Sequence, residues 1–308
     1  MVGESHEPKV NKHDNYRHAM SWLTLALTAT LIWSVVAILD KFVMSHEMRD
    51  PILAGFAFGA SVFGVYTLVS LYQGTISTQG PILLPMFVGA LGCIGVLLYY
   101  FAVNKAEISR IIPLVATMPV YVTLIAFFWL GESFSTMTYA GIGLLVLGGV
   151  LISVEKGKHK FISGGLFLAV LATLFWAVRN TLMKSLTLGT SVWNLLFWVG
   201  VGSGIVALIL LIAHHPHLKK KAKKGVEHLF VNNAVAAIGW MFFAVALEKG
   251  PVSLVSSIPA AEPMFVFIAA TAISKYHPSI VHEKLSRQAL LQKSVSILLI
   301  IAGVLLIV

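Results

Sequence analysis

Residues 29–41 read ATLIWSVVAILDK, and residues 172–184 read ATLFWAVRNTLMK. Laid together at a shift of 143, Ala29, Thr30, Leu31, Trp33, Val35, Leu39 and Lys41 meet identical residues at Ala172, Thr173, Leu174, Trp176, Val178, Leu182 and Lys184. A second block repeats at a shift of 144, where Ala102, Lys105, Ser109 and Pro119 meet Ala246, Lys249, Ser253 and Pro263. Nearly constant spacing across separate blocks is hard to obtain from apolar composition alone. The chain therefore reads as two related halves, residues 20–154 and 163–308, after a hydrophilic tail at 1–19. That tail lacks the short apolar core and small-residue cleavage site of a signal peptide, so the first apolar segment is expected to direct targeting.

The solvent of these halves follows from composition. The chain has 308 residues, 57% of them hydrophobic and 11% charged. A soluble globular chain is about 45–50% apolar and about 25% charged. Water cannot be kept from this much apolar surface, so the bilayer is the expected solvent. A membrane helix needs about 20 mostly apolar residues. Ten stretches qualify: 20–40, 51–72, 82–104, 107–130, 135–154, 163–186, 191–213, 228–248, 251–273 and 290–308. Open sheets are excluded at that depth, because unpaired backbone groups find no water there. The fold class is therefore all-α, with five helices in each half. Five is odd, so the second half enters the membrane from the opposite side, giving a 5+5 inverted repeat of the kind found in secondary transporters. Gly55 with Gly59, and Gly200 with Gly204, are small residues at helical spacing that permit close backbone approach.

The net charge of +9 does not point to nucleic acid. Five lysines crowd between Lys219 and Lys224, beside His214, His215 and His217, and read as a basic loop facing lipid head groups. The single cysteine, Cys93, lies in an apolar stretch and reads as a core residue. No intrachain disulfide or cysteine metal site is expected.

The run ending at Glu132, YYFAVNKAEISRIIPLVATMPVYVTLIAFFWLGE, has an Ala-containing helix, a tight turn, a helix with a mid-span proline, then Gly-Glu. This run resembles the EamA-type drug/metabolite transporter superfamily, as do the closing GIGLLVLGGVLIS of the first half and IIAGVLLIV of the second. The second half matches from Ala246 through Pro263, then departs: SKYHPSIVHEKL places His282 and Glu283 where Gly-Glu is expected. The resemblance implies a transporter of a small solute, such as an amino acid, metabolite, drug or lipid-linked sugar. It also implies a cavity lined by helices one, three, four, six, eight and nine, and both termini in the cytoplasm. Glu132 and Glu283 fall at the family's acidic position and are expected to act as caps or loop anchors.

Ionisable groups inside a span are costly, so each one is a functional hypothesis. Arg179 lies in the sixth predicted helix and Glu262 near the middle of the ninth. Their repeat partners are Val36 and Met118, and Asn180 faces Ala37, so the second half carries polarity that the first lacks. Side chains tilt toward the helix N-terminus, which brings Arg179 back toward the midplane. Two readings stand: Arg179 binds an anionic substrate group while Glu262 pairs with it or exchanges a proton, or the two form an ion pair that only locks helices together. Pro119 and Pro263 fall at equivalent mid-span positions, with Pro113 nearby. Each proline frees a carbonyl four residues earlier, at Val115 and Pro259 for the first two, which leaves a kinked cavity wall or a packing kink. Trp33 and Trp176 are repeat-equivalent and can line a cavity or pack the core; Tyr99, Tyr100 and Trp240 are further lining residues on the same footing.

No GxxxxGK[ST] loop or HExxH motif is present. Ser203 sits in Val-Gly-Ser-Gly, but every histidine falls in the tail, in predicted loops or, as His228, at the very end of a span, so neither an enzyme nor a cofactor is expected. The expected partners are a small-molecule substrate, anionic if Arg179 binds it, a coupling proton and the lipid bilayer of the cell membrane; monomer and homodimer are both open. Orientation is contested. With ten spans, the terminus side carries five Lys or Arg and the opposite side sixteen. Cytoplasmic loops hold the excess, so charge places both termini outside, against the family pattern.

Overall fold

The computed structural model describes residues 12–46, 50–105, 111, 114–153, 164–214, 220–276 and 287–307; side chains at 12–20, 41–46, 152–153, 220–224 and 270–290 fall outside the description. The helices are α1 (Lys12–His46), α2 (Pro51–Gln73), α3 (Leu83–Lys105), α4 (Met118–Leu130), α5 (Thr136–Ser153), α6 (Gly164–Thr187), α7 (Val192–His214) and α8 (Lys220–Lys249). A broken ninth element follows, α9a (Val252–Val255), a 3-10 turn (Ile258–Ala261) and α9b (Glu262–Tyr276), and then α10 (Arg287–Ile307). Among the described residues, seven helical segments are long and apolar enough to cross a membrane, and Met118–Leu130, Thr136–Leu151 and Leu291–Ile307 are shorter apolar helices. Together they make the expected ten, with no strand among the described residues.

Two boundaries differ from expectation. The helical backbone of α1 begins at Lys12, inside the stretch read as tail, and that of α8 begins at Lys220, inside the stretch read as a basic loop. Lysine and alanine are good helix formers, so a polar run can continue a helix beyond the membrane. Hydropathy marks where the bilayer ends, which need not be where the helix ends.

The surface is inverted relative to a soluble protein. Phe128, Tyr72, Leu83 and Leu305 are largely exposed, while Arg179, Asn180, Asn232 and Asn233 are buried. Apolar side chains face outward because lipid is their solvent, and polar groups turn inward to find partners.

Helix pairing follows the repeat. The main contacts are α2 with α7, α5 with α10, α1 with α8, and α3 with α6. Exchanging the halves turns each of the first two pairs into itself and interconverts the last two. This is the pattern of an inverted repeat with a pseudo-two-fold axis in the membrane plane. Individual residues obey it as well. A Cβ on Gly239 would meet Trp33 Nε1 at 2.6 Å, and one on the equivalent Gly95 would meet Trp176 Nε1 at 2.6 Å. Thr30 and its mate Thr173 each donate to the carbonyl four residues back, both at 2.8 Å.

Close helix approach depends on glycines. Gly59 meets the Ser203 carbonyl, where a Cβ would lie 2.6 Å away, while Gly55, Gly200 and Gly204 pack against side chains. The tightest contacts lie elsewhere: a Cβ on Gly89 or Gly202 would overlap the Val199 or Met86 carbonyl respectively. These lock α3 to α7, and Ser203 Oγ donates across the same seam to the Gly89 carbonyl at 3.0 Å. Cys93 is buried there, with Sγ 3.7 Å from the Gly55 carbonyl.

The prolines do not kink continuous helices. Pro119 and Pro263 each stand in the first turn of a restarted helix, α4 and α9b, where a missing N–H costs nothing. The Pro259 carbonyl, expected to be freed, accepts the Glu262 N–H through the 3-10 turn. In the first half the Leu114 carbonyl accepts both the Thr117 N–H at 3.1 Å and its hydroxyl at 2.6 Å. Pro113 lies outside the described residues.

Candidate functional site

The centre of the molecule holds a small cavity of about 10 Å³, room for about one water. Phe58, Val62 and Tyr66 of α2 line it with Gly89 and Gly92 of α3, Trp176 and Arg179 of α6, Val199 and Ser203 of α7, and Trp240 of α8. Its walls come from helices two, three, six, seven and eight, of which three, six and eight belong to the set drawn from the resemblance. Helices α1, α4 and α9 contribute residues that pack on this wall. Trp33 of α1 packs on Trp240, with ring centroids 4.4 Å apart. Met118 at the start of α4 and Ser256 in the ninth element both take the amide of Asn180, Nδ2 lying 3.9 Å from Sδ and 3.5 Å from Oγ.

Arg179 dominates the cavity. It is 9% exposed, and its guanidinium carbon lies 3.9 Å from the Trp240 ring centroid, a cation–π contact. Nη1 donates to Asn180 Oδ1 at 3.3 Å. Gly92 makes room for the arginine stem, since a Cβ there would sit 2.9 Å from Nε. Tyr66 is in Coulombic range of the guanidinium.

Glu262 is elsewhere. No ion pair joins it to Arg179; among the described residues the ion pair found is His214 Nε2 with Asp50 Oδ2, 2.7 Å apart at the edge of the bundle. The locking pair expected as one reading is therefore not formed. Glu262 opens α9b beside α1, its backbone carbonyl 3.5 Å from Ser34 Oγ, and its carboxyl is in Coulombic range of Asp40. Asp40 in turn accepts from Asn232 Nδ2 at 2.7 Å, and the same amide reaches the Val36 carbonyl at 3.2 Å. Tyr99 lies within Coulombic range of both carboxyls. The polar interior thus has two parts: a cationic cavity around Arg179, and an acidic group of Asp40 and Glu262 flanked by Asn232 and the tyrosines.

An aromatic layer joins them. Tyr99 lies 5.9 Å from both Trp176 and Tyr100, centroid to centroid. Trp33 N–H donates to the Ala236 carbonyl at 3.3 Å. Its repeat mate Trp176 has no partner for its N–H, nor do the buried Tyr66 hydroxyl or Asn232 Oδ1. At the equivalent position Ala236 corresponds to Gly92, and the Arg179 side chain packs where a Cβ there would sit.

Tyr66, Asp40, Asn232 and Asn233 escaped the sequence reading. Asp40 is the last residue of a predicted span, where a charge carries little signal. The adjacent asparagines of α8 were visible as polar residues in an apolar segment, a signal of the same kind that marked Arg179. Tyr66 carries no such signal.

Glu132 acts as the expected cap. It accepts from the Val252 N–H at 2.7 Å, the Ser253 N–H at 3.0 Å and Ser253 Oγ at 2.6 Å. An acidic group from the end of α4 thereby holds the start of the ninth element in the other half. Asn104, Lys105, Glu248 and Lys249 are exposed at helix ends, and Glu283 lies outside the described residues.

A curated relative, the "Uncharacterized transporter YvbV" of Bacillus subtilis (strain 168), is 28% identical over 167 residues, covering 52% of this chain and 53% of that protein. The match thus spans about half of that relative's length. A solved crystal structure superposes with a TM-score of 0.71 at 16% identity, covering 93% of this chain and 96% of that one; likeness at that identity speaks for the fold alone. Residues 20–154 and 163–308 each match the EamA-like transporter family, and with both halves covered the chain belongs to that family, within the drug/metabolite transporter superfamily.

Proposed function

We propose that this multi-pass membrane protein is a secondary transporter that moves a small metabolite-like or drug-like solute across the cell membrane by alternating access. One observation carries the reading: the two inverted halves meet reciprocally, Trp33 on Gly239 and Trp176 on Gly95, around a buried polar centre. Two similar halves of opposite orientation have two similar ways to pack, one open to each side, and a site between them is exposed to each side in turn. The Arg179 cavity admits about one water, so in this reading a solute enters it only when the halves move apart.

In this reading Arg179, Trp176 and Trp240 form the substrate wall, with Asn180 fixing the arginine. Trp33 supports Trp240 from behind, and Tyr99 and Tyr100 connect the wall to the acidic group. Glu262 and Asp40 are placed to exchange a proton during the cycle rather than to neutralise Arg179. No catalytic role is assigned to any residue.

The test is a solute screen in proteoliposomes, with and without an imposed pH gradient. The expected result is saturable uptake of a small solute, driven by the gradient and lost in Arg179→Ala. Movement of a lipid-linked sugar between leaflets without uptake of any soluble compound would make the protein a flippase. Binding without movement of either would make it a sensor or scaffold on the transporter fold.

A further inference from the structure

Arg179 places a guanidinium in the membrane interior with no carboxylate in ion-pair range among the described residues. Its hydrogen bond among them is the one to Asn180 Oδ1, whereas a guanidinium carries five N–H donors and no acceptor. A buried cation in a span is expensive and faces a partner or a cavity. The Trp240 face meets part of the charge but accepts no in-plane N–H.

Two other residues of the same cavity carry polar atoms without a partner. The Tyr66 hydroxyl, on a side chain only 1% exposed, has no hydrogen-bond partner, and neither has the Trp176 indole N–H. Both residues line the cavity with Arg179. The nearby side-chain acceptors are neutral: Asn180 Oδ1 takes Arg179, and Ser203 Oγ, which donates to the Gly89 carbonyl, keeps lone pairs but no charge to balance the guanidinium. One positive charge and two residues with an unpartnered polar atom therefore line the same cavity, with no carboxylate in ion-pair range among the described residues. The matching ligand group is acceptor-only and carries a single negative charge. A carboxylate fits, because its two oxygens meet the guanidinium fork bidentately and a single arginine neutralises it. A phosphate dianion would leave one charge uncompensated in an apolar wall.

We propose that the Arg179 cavity is a carboxylate subsite: the solute's monoanionic carboxylate pairs with the Arg179 guanidinium, and Tyr66 O–H and Trp176 N–H complete its hydrogen bonds. The assignment rests on the transport reading for its role but not for its chemistry. The cavity's small volume means that a solute enters it when α2, α6 and α8 stand further apart.

The experiment follows the melting of the purified full-length protein in detergent during titration with benzoate, its neutral isostere benzamide, chloride and inorganic phosphate. Benzoate should raise the melting temperature saturably and benzamide should not. Tyr66→Phe removes only an unpartnered hydroxyl, so its ligand-free melting should match the parent. Its benzoate affinity should fall about tenfold, the equivalent of one hydrogen bond to a charged group. Arg179→Lys keeps the charge without the fork and should weaken benzoate further. Equal shifts from benzamide, an unchanged benzoate affinity in Tyr66→Phe, larger shifts from phosphate or chloride, or no shift from benzoate would each overturn the subsite. Uptake separates the two claims. Saturable benzoate binding without uptake of any carboxylate keeps the subsite and removes the transport role. Uptake of neutral solutes that benzoate does not inhibit keeps transport and overturns the subsite.

Discussion

Arg179 and Glu262 illustrate how two buried charges of opposite sign can share a protein interior without sharing a bond. A direct pair would make each single replacement strand the other charge, at about 3–5 kcal/mol, with recovery in the double replacement. The structure separates them, with Arg179 on Trp240 and Asn180 and Glu262 near Asp40. The destabilisations of Arg179→Leu and Glu262→Leu should therefore add within about 0.5 kcal/mol, measured as a double-mutant cycle by denaturant or thermal unfolding. Recovery of stability in the double variant would restore the direct pair. Glu132 gives the second expectation at this scale. It accepts three hydrogen bonds from Val252 and Ser253, and bonds to a charged acceptor contribute roughly 1.5–3 kcal/mol each, less where water competes. Glu132→Ala should lower stability by about 2 kcal/mol or more in total, while Ser253→Ala, which removes one of the three, should cost less. Equal losses from the two would mean that the backbone N–H groups contribute nothing. Both residues stand at a junction of the two halves, so the Glu132 loss should also appear as altered uptake rates.

The helices pack through glycines whose value depends on what faces them, which pattern alone does not reveal. The spacing of Gly55 with Gly59, and of Gly200 with Gly204, marks α2 and α7 as close-packing helices, and those two do form one of the main contacts. Yet Gly89 and Gly202 make the closest approaches, each against a backbone carbonyl, and a carbonyl cannot rotate aside as a side chain can. Gly89→Ala should therefore separate α3 from α7 and cost a few kcal/mol, in the range of an overpacked core. Gly64 in α2 faces open space, so Gly64→Ala should be neutral or stabilise by about 0.5–1 kcal/mol through helix propensity. Melting temperatures of the two variants check this, and equal effects would mean that the α3–α7 seam yields freely. The broken ninth element belongs to the same scale. Proline was legible as an interruption, but a proline kinks a helix or opens a new one according to the backbone before it. Here the 3-10 turn at Ile258–Ala261 ends one segment, so Pro263 opens the next.

Across the whole molecule, an odd number of spans per half makes the second half antiparallel to the first, and the reciprocal helix pairs follow. Orientation in the membrane is a separate matter, because a pseudo-symmetric fold packs equally well either way up. It is governed by loop charge: sixteen Lys or Arg on the side opposite the termini against five on theirs, which predicts that the segment with Lys221 is cytoplasmic. A cysteine introduced as Lys221→Cys in a Cys93→Ala background should resist impermeant thiol reagents in intact cells and react after permeabilisation. Labelling in intact cells would place the termini inside, as in the family pattern.

Composition, span length and the repeat between residues 29–41 and 172–184 determined the solvent, the helix count and the inverted plan. Those properties are sums or spacings along the chain, and no alternative packing changes them. The same is true of the expense of Arg179, which follows from a guanidinium in an apolar segment whatever surrounds it. Which groups surround it was decided only by tertiary structure. Tyr66, Trp176, Arg179 and Trp240 come from three different helices, and their convergence depends on helix rotation, set by side-chain packing and by glycines such as Gly92 and Gly95. Repeat equivalence placed Trp33 and Trp176 alike, and their environments are alike except at the indole N–H. One finds the Ala236 carbonyl and the other has no partner. Arg179 also stands in only one half, and a single buried charge is enough to make two symmetry-related sites chemically unequal.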